Sequence, residues 1–299
     1  MSRKFIYFIN PIAGTKEKKL LQEVIKKKTG EHSIPFEILH TNAESNYSYL
    51  KEKIEAEKIT DVIICGGDGT VNQVANALLG TEVNIGIVPM GSGNGLALAA
   101  KIPKPIGKAL DIIFTGNTNY IDAFYINEKF SCMLCGLGFD AQVAHDFAKQ
   151  KKRGLATYVK QSAKNFFRAK PYPFELVINK HRFATEAFFI SIANSNQFGN
   201  NFTIAPKASL HDGLLDIVVV NKMNKLRMLW SVLKQLRHGK VHNGNDKKNY
   251  SDKIHYFQTK ELSVQNPQLA PLHIDGDPAE TAARFEIKII EKAVRLIMP

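Results

Sequence analysis

The chain has 299 residues and a formal net charge of +12 at pH 7, and 44% of its residues are hydrophobic, including 18 phenylalanines. This content supports a sizeable core and excludes a disordered chain. Its apolar runs fall short of the about 18 residues that a membrane-spanning helix needs, and the short run near Met1 fits a first strand better than a signal peptide. Its three cysteines provide no disulfide framework. The sequence therefore predicts one large or two ordinary globular domains.

Residues 1–118 are predicted to form an α/β domain, because short apolar runs alternate with helical stretches. This alternation is typical of a doubly wound parallel sheet with helices on both faces. The predicted strands cover 4–9, 34–40, 61–65 and 84–88, and the predicted helices cover about 16–29, 46–58, 70–79, 94–100 and 105–115.

The pattern changes at the turn-rich segment 115–119, where we place a domain boundary. Residues 119–299 show successive strands with few helices between them, which is typical of an antiparallel β-sandwich. The predicted strands cover 120–126, 129–136, 174–179, 182–193, 214–220, 254–258, 261–265, 271–274 and 284–297, with helical insertions at about 141–169 and 224–238.

Three predicted strands of the first domain are followed by loops that contain glycine, at 10–15, 65–72 and 90–95. In a parallel sheet the carboxyl ends of the strands share one edge, where ligands bind. Glycine lets the backbone approach an anion closely, and the N-terminus of a following helix favours phosphate. One such loop would equally suit a solvated turn, but three at one edge indicate a phosphate-rich ligand.

The loops resemble the signature loops of the diacylglycerol kinase catalytic family, which includes bacterial lipid kinases and the sphingosine and ceramide kinases. The resemblance continues in order over nearly the whole chain. It rests on Asn10-Pro11, Gly66-Gly67-Asp68-Gly69-Thr70 with Asn72, Gly91-Ser92-Gly93-Asn94, Ala193-Asn194-Ser195, the run 204–216 and Asp275-Gly276-Asp277-Pro278.

The resemblance implies a lipid kinase that uses ATP and Mg²⁺ to phosphorylate a hydroxyl of diacylglycerol or a related long-chain lipid alcohol. It also implies an active site in a cleft between the two domains. Polar groups at the loop and helix starts are suited to phosphate or ribose oxygens. The residues expected to bind ATP are Asn10, Thr41, Gly66, Gly67, Asp68, Gly69, Thr70, Val71, Asn72, Gly91, Ser92, Gly93 and Asn94.

Two carboxylates are candidates for the catalytic base. The late family motif usually reads Asp-Gly-Glu, and the residue in the place of its catalytic Glu is Asp277. Asp68 is the competing candidate, although its loop position suits the organisation of metal and phosphate better. Without the resemblance, Asp275-Gly276 would indicate only a hairpin turn. Gly95 stands where bacterial diacylglycerol kinases usually carry Asp. In this respect the loop is more similar to that of the sphingosine and ceramide branch.

The segment Ser209-x-x-Asp212-x-Leu214 matches positions where bacterial relatives bind a structural Mg²⁺. The resemblance implies that Ser209, Asp212 and Leu214 hold this ion through two backbone carbonyls and one carboxylate, a ligand set typical of a hard cation. Without the resemblance, Asp212-Gly213 is a turn.

Basic residues are concentrated in two stretches, at 149–170 and 222–248. The first has eight cations and no acid, interleaved with Leu155, Tyr158, Val159, Phe166 and Phe167, and this predicts an amphipathic helix against an anionic membrane. Packing of these aromatic side chains into the second domain is the alternative. Nucleic-acid binding is not expected, because no recognition motif accompanies the charge. The expected location is cytoplasmic and peripheral at the inner membrane face, and a homodimer stays an open alternative.

Two other functions stay open at this stage. An NAD kinase-like phosphotransferase would share the Gly-Gly-Asp-Gly loop, but we would expect an Asn-Glu pair after it in place of 91–94. A catalytically silent relative that binds membranes or nucleic acid would explain Gly95 and Asp277 as signs of lost activity.

Overall fold

A computed structural model describes residues 2–11, 18–41, 47–150, 155–197, 204–224 and 254–299. The chain divides into two compact units, the first formed by Met1–Asp122 with Glu291–Pro299 and the second by Ala123–Ile290. The sequence pattern places one boundary near residue 118 and gives no sign that the last residues join the first unit.

The first unit contains a parallel sheet, as predicted. Its strands β1 (Phe5–Ile9), β2 (Phe36–His40), β3 (Asp61–Gly66) and β4 (Asn84–Pro89) lie in the order β2-β1-β3-β4, and every pairing is parallel. All residues of β1 and β3 are buried, which explains why these strands are continuous apolar runs rather than alternating ones.

Helices follow the strands of the first unit where the sequence predicts them. They are α1 (Lys18–Glu31), α2 (Leu50–Glu57), α3 (Asp68–Ala77), α4 (Gly95–Ala99) and α5 (Ile106–Thr115). Helix α3 begins two residues before the predicted start, so that Asp68 is its first residue. The α/β class of this unit is therefore confirmed.

The second unit is built from antiparallel strands and two helices, and its class is also confirmed. A ladder runs through β14-β13-β7-β9-β8-β12-β15, and β10 pairs with β9 and β11. The elements are β5 (Asn117–Ile126), β6 (Lys129–Ser131), β7 (Leu134–Gly138), α6 (Phe139–Ala148), α7 (Leu155–Arg168), β8 (Tyr172–Ile178), β9 (His181–Ala193), β10 (Leu215–Asn221), β11 (Ile254–Thr259), β12 (Glu261–Gln265), β13 (Leu272–Ile274), β14 (Asp277–Ala279) and β15 (Arg284–Met298).

Several predicted elements of the second unit differ from the structure. The predicted strand 129–136 is two strands, because the amides of Met133 and Leu134 turn toward the carboxylate of Asp275. The predicted helix 141–169 is two helices, α6 and α7, and β14 was not predicted. The predicted helix 224–238 lies almost entirely outside the described residues. Within the described ranges, no helix has the length and apolar character needed to cross a membrane.

The last strand, β15, contributes to both units. Its residues up to Ile290 belong to the second unit, and its last part belongs to the first. There, Arg295 and Leu296 pair in parallel with Asn84 and Ile85 of β4. The sheet of the first unit is thus extended by the end of the chain.

Candidate active site

The residues predicted to bind ATP gather at the carboxyl edge of the parallel sheet. The amide of Asn10 donates to the carbonyl of Cys65 at 3.1 Å, and that of Thr41 donates to the carbonyl of Ile9 at 3.1 Å. The amide of Met90 donates to the carbonyl of Gly66 at 2.9 Å. These bonds connect the ends of four strands at one edge. The rest of the first loop, at 12–17, lies outside the described residues.

Two of the glycine loops touch through their backbones. A Cβ atom added to Gly91 would lie 2.6 Å from the Cα of Gly67, and one added to Gly67 would lie 3.1 Å from the Cα of Gly91. The φ angle of Gly67 is −97°, so its need for glycine comes from this close approach and not from a left-handed backbone. The contact excludes a side chain at both glycines, so the backbone at these two positions stays open to close approach.

Asparagine side chains hold the loops in shape. Asn10 donates from Nδ2 to Oγ1 of Thr70 at 2.8 Å. Asn94, which is buried and has a φ of 54°, accepts from the amide of Gly91 at 2.8 Å and donates to its carbonyl at 2.7 Å. Sequence reasoning treated Asn94 as a ligand residue and missed this closure of the third loop.

Asp68 connects the second loop to the third. Its Oδ1 accepts from the amide of Leu96 at 3.4 Å, and a Cβ atom on Gly93 would lie 3.0 Å from its Oδ2. Asp68, Gly69 and Thr70 form the first turn of α3, where backbone amides have no intrahelical partner and favour an anion. The arrangement places one carboxylate beside this helix N-terminus, and such a carboxylate would suit a metal ion on phosphates bound there.

The remaining predicted residues differ in exposure. Ser92 is exposed and Asn72 is half-buried, so both side chains are accessible to a ligand. Val71 is buried, and its side chain packs in the core while only its backbone is available.

The second unit carries an acidic hairpin, formed by β13, a two-residue turn and β14. The turn residues Asp275 and Gly276 have φ angles of 50° and 85°, as in a type I′ turn. Asp277 follows as the first residue of β14, pairs in register with Ile274 and is exposed. The hairpin therefore presents one carboxylate, that of Asp277, at the surface.

The other carboxylate of the hairpin is an anchor. Asp275 is buried, and its Oδ1 accepts from the hydroxyl of Ser131 at 2.6 Å and from the amides of Met133 and Leu134 at 3.3 and 3.0 Å. Sequence reasoning missed this role, and it also missed the buried pair His273–Asp140 behind the turn. The sequence feature that could have indicated this pair is a histidine two residues before an Asp-Gly turn.

The predicted metal segment forms a turn just before β10. Asp212 is exposed and accepts from the amide of Leu214 at 3.1 Å, and Gly213 has a φ of 71°. Asp216 is buried nearby, and its Oδ1 accepts from the hydroxyl of Tyr256.

The buried Asp216 is incompletely satisfied. Its Oδ2 has no hydrogen-bond partner among the described residues. Burial raises the pKa of Asp216 to about 6, although the side chains of Tyr256 and Gln258 lower it, and the nearby Asp212 raises it further. A buried carboxylate oxygen without a partner is a group that a cation or its water ligand would complete. The residues present therefore fit a hard cation, although no cluster of three acidic, histidine or cysteine ligands occurs in the described part of the chain.

Helix α7 carries part of the first basic stretch. Lys160, Lys164 and Arg168 are exposed, and Phe167 keeps 75% of its surface accessible. Phe166 instead contacts Phe139 of α6, with ring centroids 6.3 Å apart. The aromatic residues thus divide between packing and exposure. The side chains of Leu155, Tyr158 and Val159 lie outside the described part of the protein.

The fold and the loops define an α/β unit with glycine loops at the carboxyl edge of its sheet and no P-loop in its sequence, followed by an antiparallel β unit. The model of the diacylglycerol kinase catalytic domain matches residues 4–126. The model of the YegS C-terminal NAD kinase beta sandwich-like domain matches residues 134–298. The chain belongs to the YegS-type family of proteins with a diacylglycerol kinase catalytic domain.

Similar proteins agree with this assignment. The chain is 25% identical to "Probable lipid kinase YegS-like" of Shewanella frigidimarina, covering 93% of this chain and 88% of that protein. It is 28% identical to "Probable lipid kinase YegS" of Salmonella arizonae, covering 83% and 84%. A crystal structure of a diacylglycerol kinase from Bacillus anthracis has a TM-score of 0.75 at 17% identity and covers 99% of this chain and 97% of that one. Another structure from the same organism reaches a TM-score of 0.83 at 20% identity with the same coverage, and this likeness shows the fold.

Proposed function

We propose that this protein is an ATP- and Mg²⁺-dependent lipid kinase that phosphorylates a hydroxyl of diacylglycerol or a related long-chain lipid alcohol. The observation that carries the proposal is the backbone contact between Gly67 and Gly91, because it brings main-chain groups of two loops together at a helix N-terminus, where an anion is favoured. The names of the curated relatives support a lipid acceptor.

Each part of the site has a task in this reaction. Amides of the second and third loops that have no partner within the loops would bind the phosphates, and Asn10 and Asn94 keep those loops in place. Bound Mg²⁺ would supply charge neutralisation on the phosphates, and Asp68 would hold it. The exposed carboxylate of Asp277 takes the proton from the attacking hydroxyl.

The direct test is to incubate pure protein with radiolabelled ATP, Mg²⁺ and a total lipid extract, and then to identify the labelled lipid. We expect one class of labelled long-chain alcohol, and none when Mg²⁺ is removed with a chelator. ATP binding without any labelled product would favour a silent relative. A second candidate is a phosphotransferase that acts on NAD, because the model that matches the second domain is NAD kinase beta sandwich-like. Label in NADP after addition of NAD would favour this candidate.

We also propose that the turn at Ser209, Asp212 and Leu214 binds a structural Mg²⁺ near Asp216. The unpartnered Oδ2 of buried Asp216 is the supporting observation. The ion would offset the cost of burying this carboxylate.

Magnesium is expected to raise the thermal midpoint of the wild-type protein in the absence of nucleotide. Binding at about 100 times Kd stabilises the folded state by about 2.7 kcal/mol. The variant Asp212→Ala should lose most of this shift, while Glu261→Gln, which removes an exposed carboxylate elsewhere in the second unit, should keep it. Differential scanning calorimetry with and without Mg²⁺ measures the effect. Equal shifts in the wild type and Asp212→Ala would contradict the assignment.

We propose that the protein meets its lipid acceptor peripherally, at the anionic inner face of a membrane, through α7. The exposed cations Lys160, Lys164 and Arg168 and the exposed Phe167 lie on this one helix. Cations near an anionic surface contribute about 1 kcal/mol each, and an aromatic side chain suits the interface. This surface would bring the protein and its bound ATP to the lipid acceptor in the membrane.

Vesicle co-sedimentation is expected to require anionic lipid and to weaken as salt rises from about 50 to about 500 mM, because screening shortens the range of the charges. The double variant Lys160→Glu, Lys164→Glu should bind at least about tenfold more weakly. The matched double variant Lys180→Glu, Lys288→Glu removes exposed lysines of the second unit outside α7 and should bind normally.

The contribution of the apolar side chain of Phe167 to vesicle binding is tested with a separate pair of variants. Phe167→Ser should weaken binding, whereas Leu269→Ser, which removes another exposed apolar side chain, should not. Equal binding to neutral and anionic vesicles, or no binding to either, would contradict a membrane role for α7.

A further inference from the structure

His273 lies behind the acidic hairpin, fully buried on β13. Its Nδ1 accepts from the amide of Gly276 at 3.3 Å, and its Nε2 lies 3.4 Å from Oδ2 of Asp140. One imidazole therefore joins the turn of the hairpin to the first turn of α6.

The contacts decide which ring nitrogen carries the proton. A backbone amide is only a donor, so Nδ1 of His273 must be the acceptor. In the neutral ring the proton is then on Nε2, and it points toward the carboxylate of Asp140. The turn amide and the carboxylate thus select the same tautomer from opposite sides of the ring.

The partner of His273 is itself held in place. Oδ1 of Asp140 accepts from the amide of Ala141 at 2.8 Å, near the N-terminus of α6, where a negative charge is favoured. Gly136 of β7 pairs with His273, and a Cβ atom there would lie 2.1 Å from Oδ2 of Asp140 and 2.5 Å from Nε2 of His273. The absence of a side chain at Gly136 makes room for the pair.

We propose that His273 is a positioning residue for the acidic hairpin. Its contact with Gly276 holds one side of the turn, while Asp275 holds the other side through Ser131 and Leu134. The next residue is Asp277, so fixing the turn fixes the start of the strand that presents this carboxylate. The inference rests on the proposed function, in which Asp277 takes the proton of the lipid hydroxyl.

Two variants separate the two contacts of the ring. In His273→Asn the side-chain oxygen can occupy the place of Nδ1 and accept from Gly276, but the contact with Asp140 is lost. In His273→Gln the amide can reach the place of Nε2, but the acceptor for Gly276 is lost. Both remove a buried ring, so both should lower the thermal midpoint, and activity is compared well below it.

The expected result is a difference in kcat between these variants. His273→Asn should keep kcat within about threefold of wild type, and His273→Gln should lower it by about 10- to 100-fold, because small displacements of a reacting group cost rates of this size. KM for ATP should not change in either variant, since the nucleotide loops lie in the other unit. Equal kcat values in the two variants would overturn the inference, because a purely structural role predicts no such split.

Amide exchange of Gly276 gives a readout that does not depend on activity. Selective ¹⁵N-glycine labelling reduces the spectrum to the 20 glycines of the chain, and Gly276→Asn identifies the signal. We expect protection of this amide in the wild type and in His273→Asn, and its loss in His273→Gln. If the wild type phosphorylates no lipid, the proposed function fails, and this exchange pattern alone decides whether His273 positions the turn. Equal exchange in all three proteins would overturn that role.

Discussion

Replacement of Asp277 by asparagine is expected to lower kcat by about 10²–10⁴-fold, the usual cost of removing a general base. Asparagine matches aspartate in size but cannot take the proton of the attacking hydroxyl. Because Asp277 is exposed at the start of a strand, folding should be little affected. Single-turnover phosphorylation of the labelled lipid, with a thermal midpoint for each variant, measures both effects.

Two neighbouring substitutions serve as controls for Asp277. Asp277→Glu should retain part of the activity, because it restores the residue that the family usually carries and keeps a carboxylate. Asp275→Asn should act mainly on stability, since the buried Oδ1 of Asp275 binds Ser131 and backbone amides. Wild-type rates in Asp277→Asn would contradict the assignment of Asp277 as the general base and would make Asp68 the leading candidate.

Loss of the carboxylate at Asp68 is expected to abolish phosphoryl transfer, with a cost of about 3 kcal/mol or more in transition-state stabilisation. Asp68→Ala removes both the charge and the bond from the amide of Leu96. Asp68→Asn removes the charge but leaves an oxygen that can accept from that amide. Comparison of these variants separates metal organisation from loop closure.

Both Asp68 variants should be inactive if the charge is what matters. Activity of Asp68→Asn within a few-fold of wild type, with Asp68→Ala inactive, would show that the residue only ties the loops together. Calorimetric titration with ATP and Mg²⁺ measures whether the nucleotide still binds in each variant.

The first unit was predictable because its local sequence agrees with its fold. The buried runs of β1 and β3 have five and six residues, are mostly apolar and are followed by glycine loops. The strands, their loops and the shared edge can therefore be predicted from sequence alone. The second and third loops meet as predicted, and Asn10 at the start of the first loop contacts Thr70, because parallel strands end at one edge. The finer arrangement could not be predicted, since the role of Asn94 depends on a left-handed backbone that local patterns do not reveal.

The second unit was harder to predict because its contacts join distant positions. Ser131 and Asp275 are 144 residues apart, and His273 and Asp140 are 133 apart. Such bonds leave no periodic signal, so the buried Asp275 and the exposed Asp277 look alike in sequence. The break between β6 and β7 also follows from these bonds and was missed for the same reason.

The return of β15 to the first unit has a consequence for synthesis on the ribosome. Arg295 donates to the carbonyl of Glu82, 213 positions earlier in the chain. At the usual speed of translation, Arg295 therefore emerges about 10–40 s after Glu82. Until then the β4 side of the sheet lacks the pairing that Arg295 and Leu296 provide. A nascent chain, or an expressed fragment that stops at residue 122, would present this unpaired edge to other chains and to chaperones. A fragment intended to fold alone would have to carry Glu291–Pro299 as a grafted strand.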